Sequence, residues 1–577
     1  MLGIQLIDWV VIVAYLVGIT FIGLWAVKKV RSAAIFFIGD RKFGKVMMAF
    51  FMFGSGTHSE QAVGVAAKTY QAGASGIWYQ WLWLFVTPFF WLIAPFFRRM
   101  RAVTTGDYFE VRYGRSVSGL YAAMGILPLV VAIGVMLKGS GAMVEAVSGG
   151  AISANLAIIA MTVMFVIYGV AGGLSAAIAT NFVQGLLTIV LSVLILPFAL
   201  TEVGGMSGLR QSIAQLAVDN PEMPDMLSLV SPGEINLFFI IVIAFNALVG
   251  WVTMPETMAN CAAGKTEMEG RMGVTAGIFL KRIVTIFWML TGLCAVAIYV
   301  NAAIDDADLV YGQMARKFLG PVPGLIGLFI ASLLASVMST CDSLMVVASA
   351  LFTENIYKKF LVVGKADRHY TLVGRIASTL VVFLGIFVAF KLESVVEGLE
   401  FYWMLSALMG IAFWVGLCWR RATVAGAWAA TLTSLGAFIF TSKIAFGGYV
   451  LWDFNAHLAG KLPHFMLWQD KLYLPWQMII YLSAGFIVLI VVSLFTRRVS
   501  AERLDRFYAC LRTPIGPDEP ETEPFTLPPG VEPAPRRTLV EHPDFEIPRP
   551  SAVGIAGFLI AWVGVGLLIG AVYWIIG

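Results

Sequence analysis

Apolar residues run along this chain in blocks of about 20, the length a helix needs to cross the hydrocarbon core of a bilayer, with charged residues gathered in the short segments between them. Fourteen such blocks can be drawn, at 7–29, 45–70, 76–98, 116–146, 152–171, 174–201, 235–262, 271–300, 322–356, 371–392, 396–419, 424–444, 475–496 and 551–576. The pattern predicts an all-α polytopic membrane protein with about 14 transmembrane helices. Composition agrees: 59% of the 577 residues are apolar and 13% charged, where a soluble domain carries roughly 25% charge. A net charge of +4, scattered through the loops, argues against nucleic acid as a partner and is better read as topology. The five cysteines (Cys261, Cys294, Cys341, Cys418 and Cys510) imply no disulfide framework. No Lys or Arg precedes the first apolar run, so residues 1–29 read as a retained span and not as a cleaved signal peptide.

The basic residues alternate between sides. Lys28, Lys29, Arg31, Arg41, Lys42 and Lys45 flank one side, joined by Arg98, Arg99, Arg101, Arg112, Arg115, Lys358, Lys359, Lys365, Arg368, Arg420, Arg421, Arg497 and Arg498. The positive-inside rule makes that side cytoplasmic. Both termini are then predicted outside a cell (inner or plasma) membrane. Residues 202–234 and 301–308, which are acidic, fall on the outer side. Residues 499–550 differ in kind, holding eleven of the 23 prolines among Glu and Asp. Such a segment cannot bury a core and is expected to be extended or disordered, a tether to the last helix or a docking site for a regulator.

Polar groups inside a span are expensive and mark pathways or sites. In the second span Gly54, Ser55, Gly56, Thr57, His58, Ser59, Glu60 and Gln61 interrupt the apolar run. A helix broken at this depth is tolerated where it lines a cavity, and its exposed carbonyls can bind a cation and a polar solute. The seventh span repeats the theme with Gly250, Pro255, Glu256 and Asn260. Two interruptions five spans apart suggest an inverted repeat. In the ninth span Ser336, Ser339, Thr340 and Ser343 recur at i, i+3, i+4 and i+7, on one helical face, with Asp342 beside them. That stripe is either a hard-oxygen cation site or interhelical glue. Lys138, deep in the fourth span, either pairs with Glu60 or receives a carboxylate on a solute. His58 is either a packed neutral ring or a proton-coupling group. Trp78, Tyr79, Trp81 and Trp83 in the third span read as an interfacial aromatic belt, with a stacking lid over the solute as the alternative.

Four stretches carry a family resemblance: TTGDYFEVRYG (104–114), YGVAGGLSAAIATNFVQG (168–185), LLASVMSTCDSLMVVASALFTENIYKKF (333–360) and LCWRRATVAGAWAA (417–430). Their order and spacing resemble the sodium:solute symporter family, over most of residues 5–445. The resemblance implies a LeuT-type 5+5 inverted repeat with extra flanking helices. The divisions would be 1–44 (extra helix and loop), 45–202 (first repeat), 203–234 (outer loop), 235–422 (second repeat), 423–498 (two further helices), 499–550 (Pro-rich linker) and 551–577 (last helix).

It also implies a sodium ion as the coupling partner, held by Gly54, Thr57, Ser336, Ser339 and Thr340. Asn181 stands where many members have Asp, so Asp342 and Ser343 are expected to complete a possible second sodium site with Asn181. Gln61, Gln80 and Lys281 resemble sugar-contacting positions, whereas Met254, Glu256, Asn260 and Leu399 depart from the sugar carriers. The expected solute contacts are His58, Glu60, Gln61, Gln80, Lys138, Glu256 and Lys281. The solute itself is a sugar, an amino acid or an organic acid. The competing classes are a transporter-like solute sensor signalling through its tail, a proton-coupled carrier using His58, and an intramembrane enzyme, for which no metalloprotease motif is present. The partners expected are a small-molecule solute and the lipid bilayer, with the chain read as a monomer.

Overall fold

Two helices stop inside the apolar core and restart after two or three non-helical residues. A computed structural model of the protein describes residues 4–27, 44–102, 104–221, 223–262, 264–299, 304–446, 449–516, 519–520 and 522–577. The side chains at 22–27, 165, 167–182, 259–260, 262, 444–446 and 449 lie outside the described set, as do Lys28, Lys29, Arg31, Arg41 and Lys42. Among the described residues, eight helices are long and apolar enough to cross a membrane, and five shorter apolar helices accompany them.

The first break follows from Gly54-Ser55-Gly56, three residues of poor helix propensity. Lys45–Gly56 ends there, Thr57 (φ −120°, ψ 114°) and His58 (φ −129°, ψ 159°) run extended, and Ser59–Ala72 resumes the helix. That second half closes on Gly73 at φ +72°, where a Cβ would lie 2.4 Å from the Met226 backbone, so only glycine fits. The second break is set by Pro255, which lacks the N–H to continue Leu237–Trp251 and instead starts Pro255–Ala262. Thr253 bridges the gap, its hydroxyl 2.9 Å from the Gly250 carbonyl and 3.0 Å from that of Ser406.

Three features depart from the sequence pattern. The expected uninterrupted span 76–98 is a short helix, Trp78–Trp81, then turns, then Thr87–Arg99; Pro88 cannot donate to Leu84, which removes one rung of the ladder. The span expected at 396–419 breaks between Val395–Ala407 and Gly410–Cys418, where Gly410 sits against the Val249 carbonyl with no room for a Cβ. Conversely, the junction expected between 152–171 and 174–201 is not a helix end. Backbone from Ala154 to Val193 is continuous helix, because Gly172-Gly173 weakens a helix by about 1 kcal/mol per residue without a proline or cap to stop it.

Among the described residues, the Pro-rich tail meets Arg99, Arg101, Arg420 and Arg498 at one end of the bundle. It is extended, as its composition predicts, but it is held and not loose. It begins with a helix, Ala501–Arg512, whose Tyr508 hydroxyl donates to the Gly416 carbonyl at 2.8 Å. Phe525 is fully buried and stacks on Phe507 with centroids 4.9 Å apart. Its N–H donates to the Met100 carbonyl at 2.9 Å. Phe525 has φ +54°, an uncommon conformation for a bulky residue that is kept only where packing over-determines it. Arg101 grips Glu519, Arg420 meets Glu546 at 2.9 Å, and Arg498 meets Asp544 at 3.1 Å. Burial alone would raise the Glu519 carboxyl, but hydrogen bonding and charge from Arg101 hold it below the usual carboxylate range.

Truncating a buried Phe costs about 3–5 kcal/mol, so Phe525→Ala should release the tail, read as rapid proteolytic cleavage within 514–550 where the native protein resists. Because the Glu519 carboxyl is lowered on folding, its contribution is present above about pH 4.3 and is lost as pH falls through the lowered value. Protection of the tail should weaken on acidification. Equal cleavage rates in native protein and variant would refute the docking.

Candidate functional site

The break at Thr57 lies against the hydroxyl stripe of the Leu325–Ala350 helix. Ser336 Oγ donates to the Thr57 carbonyl at 3.4 Å. Thr57 is fully buried, and its own hydroxyl has no hydrogen-bond partner. Ser336, Ser339 and Thr340 are buried, with the Thr340 hydroxyl 3.3 Å from the Ser336 carbonyl. Gly54 is buried in the last turn before the break. The structure thus brings the two halves of the expected cation site together, and a buried hydroxyl left unpartnered beside carbonyls is the hard-oxygen chemistry that suits a small cation. Asp342 and Ser343 are also buried. Ser343 donates back to the Ser339 carbonyl at 3.1 Å, and Asp342 lies within electrostatic reach of Tyr15. Tyr15 in turn accepts from Gln184 at 3.4 Å. The side chain of Asn181, one turn before Gln184, lies outside the described residues.

Beside this site opens a cavity. Six of the seven expected solute contacts line it: His58, Glu60 and Gln61 from the restarted second span, Gln80 from the third, Glu256 from the seventh and Lys281 from the eighth. Met52, Phe90, Met136, Trp251 and Met254 supply apolar wall. The end of the first half-helix leaves carbonyls without intrahelical donors, and the cavity residues meet them. Lys281 Nζ donates to the Gly56 carbonyl, Gln61 Nε2 to the same oxygen at 3.3 Å, and His58 Nε2 lies 3.1 Å from the Ser55 carbonyl. His58 Nδ1 stands 3.5 Å from Glu60, and Glu60 also faces the Lys281 charge.

Lys138 is the seventh, and it is elsewhere. It is half-buried, does not line the cavity, and sits within electrostatic reach of Asp308, whose carboxylate accepts the Val395 N–H at 2.8 Å at the start of the Val395–Ala407 helix. Lys138 is therefore not the partner of Glu60 that the sequence suggested; the basic residue within electrostatic reach of Glu60 is Lys281. The third-span aromatics do not form an interfacial belt: Trp78, Tyr79, Trp81 and Trp83 are all buried. Trp78 donates to the Leu229 carbonyl at 2.7 Å and Trp81 to that of Arg282 at 3.1 Å, while Trp83 faces the cavity. Their clustering beside the break at 82–86 explains this, since the turn folds the rings inward.

Two cavity residues escape the sequence reading. Arg282, beside Lys281, donates to the Gln80 carbonyl and lies 5.7 Å from the centroid of the Trp83 ring. Tyr402 stands against Glu256. The adjacent Lys-Arg pair in an otherwise apolar helix was a usable signal for Arg282; nothing distinguished Tyr402 from its aromatic neighbours.

The model of the sodium:solute symporter family matches residues 36–434. The chain belongs to the sodium:solute symporter family. It is 24% identical over 437 residues to the osmoregulated proline transporter OpuE of Bacillus subtilis, covering 72% of this chain and 85% of that one. It is 23% identical to the sodium/glucose cotransporter of Vibrio parahaemolyticus, covering 76% and 85%. A solved Na+-coupled sialic acid symporter in a substrate-bound outward-open state superposes with a TM-score of 0.69 at 18% identity, over 86% of this chain and 99% of that one. The LeuT-type helical architecture expected from the sequence is the one adopted, in a multi-pass membrane transporter and not an enzyme.

Lys281 and Glu60 should be coupled. Removing one of two buried opposite charges within electrostatic reach strands the other in a low-dielectric environment. Lys281→Met and Glu60→Gln should each lower the thermal midpoint, while the double variant should recover much of the loss. Strictly additive losses would show that the two do not interact.

Proposed function

We propose that the protein is a sodium-coupled symporter that carries a small polar organic solute inward by alternating access. It would lie in the cell membrane with both termini outside, the basic loops and the docked tail facing the cytoplasm as the charge rule requires. The observation that carries this reading is the contact between the Thr57 carbonyl and Ser336, beside a buried, unpartnered Thr57 hydroxyl and next to a charged cavity. Carbonyls of Gly54, Thr57 and Ser336 with the hydroxyls of Ser339 and Thr340 would hold the co-transported sodium ion. Its binding ties the broken second span to the ninth, and the same break supplies His58, Glu60 and Gln61 to the solute. Each inward charge contributes about 2.3 kcal/mol per 100 mV. The solute is read as a sugar, an amino acid or an organic acid, a range supported by relatives named as proline, glucose and pantothenate carriers.

A proton-coupled carrier is the second reading, motivated by the 3.5 Å approach of His58 Nδ1 to Glu60, which becomes an ion pair only on protonation of the ring. Proteoliposomes separate the two. Uptake under a sodium gradient at equal pH supports the first, and uptake under a pH gradient without sodium supports the second. A sensor would bind solute without accumulating it. In Ser339→Ala/Thr340→Ala, sodium-driven uptake should fall at least about tenfold, the equivalent of losing about 1.4 kcal/mol of ion binding. Unchanged sodium dependence would refute the ligand assignment.

A second sodium ion would be held by Asn181, Asp342 and Ser343, with the carboxylate supplied from the ninth span instead of the sixth. The measured charge-to-solute ratio should then be two in the native protein and one in Asp342→Asn. A ratio of one in both would eliminate the second site.

A further inference from the structure

Four acidic or basic side chains line the cavity, Glu60, Glu256, Lys281 and Arg282, and of these only Glu60 and Lys281 lie within electrostatic reach of an opposite charge. Glu60 and Lys281 interact at long range, with no ion pair between them among the described residues and Glu60 Oε2 without a hydrogen-bond partner, while Lys281 binds the Gly56 carbonyl. Arg282 is 1% exposed. Among the described residues no ion pair joins it to a carboxylate, and its Nε has no hydrogen-bond partner. Glu256 is its counterpart on the seventh span: Tyr402 stands against it, no basic group pairs with it among the described residues, and its Oε2 is buried without a partner. A buried charge left without a counter-charge is among the most expensive features a protein can keep. Two of opposite sign on the walls of one cavity call for a ligand that carries both.

Resting on the symporter reading of this cavity, we infer that the solute is zwitterionic, with a carboxylate received by Arg282 and a cationic nitrogen received by Glu256. The Arg282 end is a built carboxylate site. One Nη is committed to the Gln80 carbonyl, which fixes the plane of the guanidinium and leaves its Nε free to donate. Two further donors there have no partner, the buried side-chain amide of Gln80 and the indole N–H of Trp83. The Glu256 end offers only acceptor capacity, which suits an ammonium or alkylammonium group. Phe90, Trp251 and Met254 take the uncharged body of the solute, which is small and compact. A neutral sugar would leave both charges stranded. A simple carboxylate would leave Glu256 stranded, and a simple amine would leave Arg282. A zwitterion answers both and adds no net charge, so sodium remains the sole charge carried inward.

The test uses the purified full-length protein and five probes with and without sodium: L-alanine and γ-aminobutyrate as zwitterions with short and long charge separation, butyrate, n-butylamine and D-galactose. Binding is read as a rise in thermal midpoint with probe concentration. At least one zwitterion should bind about tenfold or more tightly than butyrate, butylamine and galactose, in a sodium-dependent manner. Both Arg282→Gln and Glu256→Gln should weaken that zwitterion at least about tenfold, and Arg282→Lys should restore part of the loss. If galactose or butyrate binds as well as either zwitterion, or no zwitterion raises the midpoint, the inference is overturned, and the native-protein panel decides this even if a variant does not fold. The parent reading fails separately. If the preferred probe binds but is not accumulated in proteoliposomes under a sodium gradient, the symporter assignment falls while the zwitterion site stands.

Discussion

Inside a bilayer every backbone hydrogen bond must be satisfied within the protein, and the stop at Thr57 and His58 is where this chain defers that obligation. The carbonyls at the end of Lys45–Gly56 have no helical donors, and the side chains that meet them come from other parts of the fold. Lys281 and Gln61 reach Gly56, His58 reaches Ser55 and Ser336 reaches Thr57. Each of these residues also faces either the candidate cation site or the cavity. The backbone defect is therefore what brings ion and solute chemistry together, since a group that satisfies the break on one side presents its remaining capacity to a ligand on the other.

The parts of this arrangement that were legible in the sequence are those written in local chemistry. Gly54-Ser55-Gly56 and Pro255 are helix breakers in their own right, and the Ser336, Ser339, Thr340 and Ser343 stripe follows from helical period alone. The breaks at 82–86 and 408–409 were not legible. One depends on Pro88 acting four residues upstream within an aromatic run, and the other on the close approach of Gly410 to Val249, which is a tertiary contact. Lys138 was assigned to the wrong end of its helix environment for a similar reason. Its depth in the span was readable, but its nearness to Asp308 depends on how an acidic loop folds over the bundle.

Charge burial shows the same division. Among the ionisable residues in the spans, sequence reasoning selected those too costly to leave unexplained, and the cavity contains most of them. Their pairing was beyond it, because a charge deep in a helix has several candidate partners at similar sequence depth. Lys281, not Lys138, lies within electrostatic reach of Glu60, and Arg282 and Glu256 are left with no opposite charge beside them. A cavity whose internal pairs were all closed would be a stable core; open groups of opposite sign give it a reason to bind something.

The tail illustrates why composition can mislead about order. Prolines and carboxylates prevent a hydrophobic core from forming within residues 499–550, and that much of the reading holds. Order here does not require such a core. Proline restricts φ before docking as well as after it, so an extended Pro-rich strand loses less conformational entropy on being held than an ordinary strand would. A modest set of anchors then suffices: Phe525 in an aromatic stack, and Glu519, Asp544 and Glu546 on arginines that topology places at this end. Those arginines carry the positive charge used to assign the cytoplasmic side. The tail neutralises part of that charge and, in doing so, ties the Met100–Arg101 end of the third span to the Gly416–Arg420 end of the eleventh. The same residues thus serve insertion first and cross-linking of the finished bundle afterwards.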